Sequence, residues 1–391
     1  MKKPENADSL RSVIALCAVG AEKAVSNEIK KLGLGVVDSG FGRVRFRSDL
    51  AGLYRALMGL RAADRVLLET AVFDAADFDA LFAGAASVPW EQLIPAQMGL
   101  KVVKVRSNRS KLKAETSIQS VVHKAAADRL CKAHGLKRLP ETEGAAEVRV
   151  FVEKDAVSLL LDLSGEPLFK RGYRKEGGAA PLRETTAAAL LLLSGWKRKY
   201  PLYDPFCGSG TIAAEALTYA WDMAPGLNRR FALGNLLIAD NKVEESVRSD
   251  LRDKINFERV IRIAGSDEDA SAVALAASNI KRLGNPAMAL DLKTLPMREA
   301  RPPFANDGED KDEPHGFIVT NPPYGKRLGD QAASERLYGE MAVLAQHFPK
   351  WKLALITSHP GFESFFGRKA DFCREIKSGP IPAYFFQYER L

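Results

Sequence analysis

At 391 residues the chain exceeds what one hydrophobic core commonly serves, and its 46% hydrophobic and 27% charged residues exclude a disordered or fibrous protein. The net charge of +8 sits early, with 29 Lys and Arg against 22 Asp and Glu in residues 1–180 and 28 against 27 in the rest, which points to an anionic partner, nucleic acid foremost, for the first half. Four scattered cysteines and five scattered histidines, without CxxC or HExxH spacing, argue against a disulfide framework and a metal centre.

The opening "MKKPENADSL" has no apolar stretch behind its lysines, and "VIALCAVG" is eight residues long, well short of the ~20 a membrane span needs. A cytoplasmic chain with no membrane partner is expected. Residues 1–65 read as a small α+β unit: a strand in "SVIALCA", a helix in "AEKAVSNEIKKLG", a strand in "VRFRS" and a helix over "DLAGLYRALMGLRAADRV". A second unit covers 66–170, with strands in "VKVRSNR" and "VRVFVEKDAVSLLLDLSG", the latter folded on a hairpin, around the helix "SIQSVVHKAAADRLCKAHG".

Between Lys101 and Arg138 lie eleven basic residues against only Glu115 and Asp128. Lys101, Lys104, Arg106, Arg109, Lys111 and Lys113 open this stretch and are candidates for phosphate contact; the alternative is a solvated helix and loop face.

Residues 171–391 form the third unit. Long helices alternate with short apolar runs ("YPLYDPF", "RIAGSD", "AMALDL", "GFIVTN", "KLALITS", "CREIKSG", "AYFFQYER"), the pattern of a parallel sheet with crossover helices. The proline-flanked acidic segment 299–316 reads as a mobile surface loop.

"LYDPFCGSGTIAAEAL" runs from strand through glycine turn to helix, so Gly208 and Gly210 would let the backbone approach a ligand at a helix start. The segment satisfies the dinucleotide pattern G-x-G-x-x-A, but the acid expected ~20 residues on is missing. The next strand ends instead at Asp267, 57 positions beyond Gly210, which suits a ribose carboxylate after a long insertion. No Gly-Lys-Ser/Thr follows, which argues against a P-loop. Asp291, ending the next strand, would accept from an adenine amino group, whereas Asp269 reads as the cap of the helix "SAVALAASNIKRLG". Together they outline an adenosine pocket.

"GFIVTNPPYG" then stops a buried strand with two prolines, which donate no backbone hydrogen bonds and stiffen the turn. Carbonyl oxygens and the side chain of Asn321 are left to accept from an exocyclic amino group, while Tyr324 offers a face on which a base can stack. An aromatic amine is a poor nucleophile; two acceptors that hold its N–H bonds favour a pyramidal nitrogen during methyl transfer.

"DPFCGSGTI", "GSDED" and "NPPYGKRLG", in that order, resemble the motifs of class I S-adenosylmethionine-dependent amino-methyltransferases. "LDLSGEPLFKRGYRKEGGAAPLRETTAAALLLLSGW" and "WDMAPGLNRRFAL" narrow the resemblance to bacterial THUMP-domain methyltransferases acting on guanine-N2 of 23S ribosomal RNA. This implies a ferredoxin-like segment and a THUMP RNA-binding domain before a Rossmann-like methyltransferase domain of seven strands, the last inserted antiparallel. It further implies that Asp204, Phe206, Gly208, Gly210, Thr211, Asp267, Asp291, Asn321 and, from "PLRET", Leu182 and Thr185 hold S-adenosylmethionine, with Asn321, Pro322, Pro323 and Tyr324 holding the target amine. The implied partner is RNA, either 23S ribosomal RNA or a large-subunit precursor. A second methyltransferase domain, present in two-activity members, is not expected here. Two alternatives stay open: an adenine-N6 methyltransferase acting on RNA or DNA, and an RNA-binding protein that has lost activity.

Overall fold

The structure, a computed structural model, describes residues 10–141, 144–174, 182–284, 290–304, 315–323, 331–377 and 382–391. Tyr324, Pro181 and most of the acidic segment 299–316 therefore lie outside the described residues.

The first half comprises β1 (Arg11–Cys17), α1 (Glu22–Lys31), β2 (Gly35–Gly40), β3 (Arg43–Ser48), α2 (Leu50–Gly59), β4 (Ala63–Asp74), α3 (Phe78–Ser87), β5 (Leu100–Asn108), α4 (Glu115–His134), β6 (Ala146–Glu153) and β7 (Ala156–Asp162). All seven strands join one sheet in the order β2-β3-β1-β4-β7-β6-β5. The long β4 makes it continuous: its first half pairs antiparallel with β1 and its second half with β7.

The helix expected to run on through "RAADRV" stops instead at Gly59, and the chain turns extended at Leu60 (ψ 122°). The cause is tertiary. The backbone N–H groups of Arg61 and Ala62 donate to the buried carboxylate of Glu28, at 2.9 and 3.0 Å, so they are captured by α1 and unavailable to a helix.

The second half comprises α5 (Glu184–Leu193), β8 (Leu202–Asp204), α6 (Thr211–Ala220), α7 (Asn241–Asp253), β9 (Ile263–Asp267), α8 (Ala270–Lys281), β10 (Leu290–Thr294), β11 (Phe317–Thr320), α9 (Gln331–Glu340), α10 (Val343–His347), β12 (Lys352–Thr357), α11 (Phe362–Phe366), β13 (Phe372–Ile376) and β14 (Ala383–Tyr388). Its sheet order is β10-β9-β8-β11-β12-β14-β13. Neighbours are parallel from β10 to β12, while β14 inserts antiparallel between β12 and β13.

Strand order reverses between β8 and β11, so the connections diverge there and leave a crevice beyond the carboxyl ends of the two strands. The near-continuously apolar helices α5 and α6 bury almost every residue against one face of the sheet. The other face carries an aromatic cluster in which Tyr203 stacks on Phe348 at 5.5 Å and Phe362 packs on Tyr338 and Phe386. Burial of each such side chain stabilises the fold by about 1.5–3 kcal/mol.

The two sheets are joined by polar contacts as well as packing. Val19 and Lys377 form a β-bridge, and the Gly226 N–H donates to the Met58 carbonyl at 2.8 Å. Between them lies a buried charge cluster. Arg61 donates to the Thr218 hydroxyl and carbonyl at 2.9 and 3.1 Å and to the Met223 carbonyl, while Arg171 bonds Glu215 at 3.3 Å and the Arg61 carbonyl.

A crevice at the switch point

β8 ends in Asp204, and residues 205–210 turn into α6. Asp204 is buried; its carboxylate accepts from the Thr320 hydroxyl at 2.6 Å and the Phe206 N–H at 3.1 Å, which ties β8 to the end of β11. Burial pushes its pKa up to about 7 against the two hydrogen bonds that favour the ionised form.

The folded state therefore holds this proton more tightly than the unfolded chain. The associated stability is fully present below about pH 3.8 and is lost as pH rises to about 7. In the cofactor-free protein, Asp204→Asn keeps a carbonyl oxygen for both donors and should flatten that part of the melting-temperature profile. An unchanged slope between pH 4 and 7 would assign the titration to another group.

The two glycines of the turn do different work. Both have left-handed backbones, at φ 51° for Gly208 and 77° for Gly210. A Cβ on Gly208 would meet no atom of the described residues within 4 Å, and the Gly208 N–H donates to Asp267 at 2.9 Å. A Cβ on Gly210 would lie 2.9 Å from the Ala276 Cβ of α8. Gly210 thus permits close packing of α6 on α8, and it is not among the residues that line either lobe.

The crevice has two lobes, of about 390 and 480 Å³, that share Phe206, Gly208, Asp269 and Asn321. The first is lined further by Leu182, Asp204 and Thr211, the second by Asp267, Pro296, Met297, Pro323 and Arg336. Asp269 caps α8 as expected, accepting from the Ser271 N–H at 2.8 Å. The side-chain oxygen of Asn321 is buried and has no hydrogen-bond partner among the described residues.

Two expected members lie elsewhere. Asp291 is the second residue of β10, opposite Ala264, and pairs with Lys293 at 2.8 Å; it lines neither lobe because the strand continues to Thr294 before its carboxyl edge. The Thr185 hydroxyl donates to Asp64 of β4 at 2.5 Å, so it braces α5 against the first sheet. Pro322 is buried behind the lining. Sequence reasoning missed Arg174, which donates to the Thr211 hydroxyl at 2.5 Å and the Leu182 carbonyl at 3.1 Å, and the Pro296–Arg298 wall. Nothing in the spacing of "FKRGYRKEGG" announces that reach.

The basic stretch occupies the free edge of the first sheet. Lys101, Lys104 and Arg106 project from β5, Arg109, Lys111 and Lys113 from the loop after it, and all six are exposed. Arg129, further along, is committed internally by a two-pronged pair with Glu91 at 2.7 and 2.8 Å. Among the described residues, no group of three or more His, Cys, Asp or Glu is placed to hold a metal, and no helix is long and apolar enough to cross a membrane.

Residues 12–67 match an RlmL ferredoxin-like domain, 75–162 a THUMP domain and 171–385 an RMKL-like methyltransferase domain. The chain is 34% identical over 96% of its length to "Putative RNA methyltransferase YpsC" of Bacillus subtilis, covering 95% of that protein. It is 31% identical over 95% of its length to the ribosomal RNA large subunit methyltransferase K/L of Syntrophotalea carbinolica, of which it spans only 52%. A crystal structure of SMU.472 complexed with SAH superposes with a TM-score of 0.85 at 32% identity, covering 100% of this chain and 99% of that one. With the Gly208 turn open towards the crevice and the acid of Asp267 at its lip, the residues present fit S-adenosylmethionine as cofactor, and the chain belongs to the RMKL-like family of S-adenosylmethionine-dependent RNA methyltransferases.

Proposed function

We propose that the protein methylates the N2 amino group of a guanine in 23S ribosomal RNA. The observation that carries the amino-group chemistry is the Asn321 oxygen: buried, without a partner among the described residues, on the wall common to both lobes. A buried acceptor left unmade costs about 1–3 kcal/mol, a strain that a substrate N–H relieves. The K/L relative's name supports the ribosomal substrate, and the THUMP match supports RNA over DNA.

S-adenosylmethionine, when bound, supplies the electrophilic methyl group. Asp267, already holding the Gly208 N–H, presents its carboxylate to the ribose hydroxyls. The first lobe, with the open backbone of Gly208 and the start of α6 at Thr211, takes the methionine end, and the Pro296–Met297 wall takes the adenine in place of Asp291. Asn321 accepts from the target amine and, with the carbonyl oxygens of the proline turn, stabilises the positive charge that develops on nitrogen. Tyr324 retains its proposed role as the base-stacking face. Asp204 holds the β8 and β11 ends at a fixed separation through Thr320.

Asp267→Ala should weaken S-adenosylhomocysteine binding in calorimetry by ~1–3 kcal/mol. Unchanged affinity would move the ribose elsewhere. Neutralising Lys104, Arg106, Arg109 and Lys111 together should lower RNA affinity and reduce its salt slope by about 0.7–0.9 log units per lost phosphate contact, with cofactor affinity unmoved. A constant slope would mark the β5 edge as merely solvated. The function itself is tested by mass-spectrometric mapping of nucleosides in ribosomal RNA from cells with and without the gene: a missing N2-methylguanosine is expected, and a missing N6-methyladenosine would overturn the guanine assignment.

A further inference from the structure

The hairpin between β2 and β3 carries a residue the fold does not need. Gly40 pairs with Arg43, so the loop is the two residues Phe41 and Gly42, both with positive φ at 49° and 77°. Such loops select Asn, Asp or Gly at their first position, and a bulky aromatic there is strained. Phe41 is also 93% exposed, so no burial offsets the strain. A singly exposed hydrophobic residue is ordinary; one held in an unfavourable backbone conformation by a rigid frame is not.

That frame is built from both halves of the protein. The Glu22 carboxylate accepts from the N–H groups of Gly20 and Gly42 at 2.8 and 2.7 Å, and the Cys17 N–H donates to the Gly42 carbonyl at 2.8 Å. Val19 in turn bridges Lys377, just after β13. Because β13 and β12 are both antiparallel to β14, the carboxyl end of β13 lies on the same edge of the sheet as those of β8 and β11. β13 stands three strand positions from β11, roughly 14 Å at ~4.8 Å per strand, so the frame that holds the hairpin is anchored on the same edge of the sheet as the crevice, at that distance from β11.

We propose that Phe41 stacks against an unpaired base of the RNA substrate a few nucleotides from the target, bracing the strand while the target base is turned out into the crevice. The proposal rests on the RNA reading above. Its test uses Phe41→Asn and Phe41→Tyr in the full chain, with in vitro transcribed, unmodified 23S ribosomal RNA.

Phe41→Asn, which suits the turn, should leave the melting temperature unchanged or higher and S-adenosylhomocysteine affinity unchanged. RNA affinity should fall roughly 5- to 150-fold, the loss of one base stack. Phe41→Tyr keeps the ring and should bind within a few-fold of wild type. RNA binding by Phe41→Asn equal to wild type would overturn the stacking role alone. Failure of the wild-type protein to bind or methylate the transcript would overturn the RNA reading, and the stacking role with it.

Discussion

Asn321→Ala is expected to lower the single-turnover rate of methyl transfer by a hundredfold or more while the protein folds and binds cofactor normally. In the proposed mechanism the amide oxygen bonds the target amine more strongly as positive charge grows on nitrogen than in the bound ground state, so its loss falls on the chemical step. Loss of one oxyanion-hole donor, the nearest analogue, costs roughly 3–4 kcal/mol. Stability should move the other way or not at all, since the deleted oxygen is a buried acceptor without a partner among the described residues. That pairing of signs separates a role in transfer from a structural one, because a residue that merely shaped the turn would lower melting temperature and rate together. Asn321→Asp keeps an acceptor at the same place and should retain part of the rate. Near-normal turnover in Asn321→Ala would remove the amine-holding mechanism.

The second half of the chain was legible because its central strands β8, β9, β11 and β12 are buried on both faces, and because each site residue at the end of β8, β9 or β11 closes such a buried run. The seven-stranded order with its antiparallel insertion follows the expectation set by the motif resemblance. Asp291 stands inside its strand and not at the end, because the same pattern does not say where a strand's edge falls: "LDLKT" carries β10 on through polar residues to Thr294. Thr185, placed at the cofactor by the motif resemblance, and Gly210, placed there as a glycine of the turn, have partners, Asp64 and Ala276, that are distant in sequence and visible only once the layers pack.

In the first half, β2 ("GVVDSG") went unread because it is largely exposed and bounded by glycines, without clean alternation. α3 went unread although Asp77, which accepts from the Ala80 N–H at 2.8 Å, is a recognisable cap. The helical pattern of "DLAGLYRALMGLRAADRV" runs on into the start of β4, because only the fold brings the Glu28 carboxylate to the amides of Arg61 and Ala62.

That same turn supplies the largest stability effect. Arg61→Ala is expected to destabilise the protein by about 3–5 kcal/mol, a large share of the 5–15 kcal/mol that native proteins possess. The guanidinium is buried, and desolvation pulls its pKa below the ordinary arginine value against the opposing pull of Glu215 and Glu28. Its removal strands the Thr218 and Met223 carbonyls and takes from those two buried carboxylates a neighbouring cation. Arg61→Met restores the apolar stem without the charge; if packing of the stem dominated, Met would rescue most of the loss. Arg61 spans from the turn before β4 to the end of α6, so the damage should concentrate on docking of the two sheets. Calorimetry should then resolve two transitions where wild type gives one, with the cofactor raising only the transition of the half that holds the crevice. RNA methylation should fall further than S-adenosylhomocysteine affinity, since the basic β5 edge and the crevice would no longer be held in fixed register. A single transition at the wild-type temperature would show that the buried cluster does not hold the halves together, and would leave the Val19–Lys377 bridge and the Gly226 contact to Met58 as the docking elements.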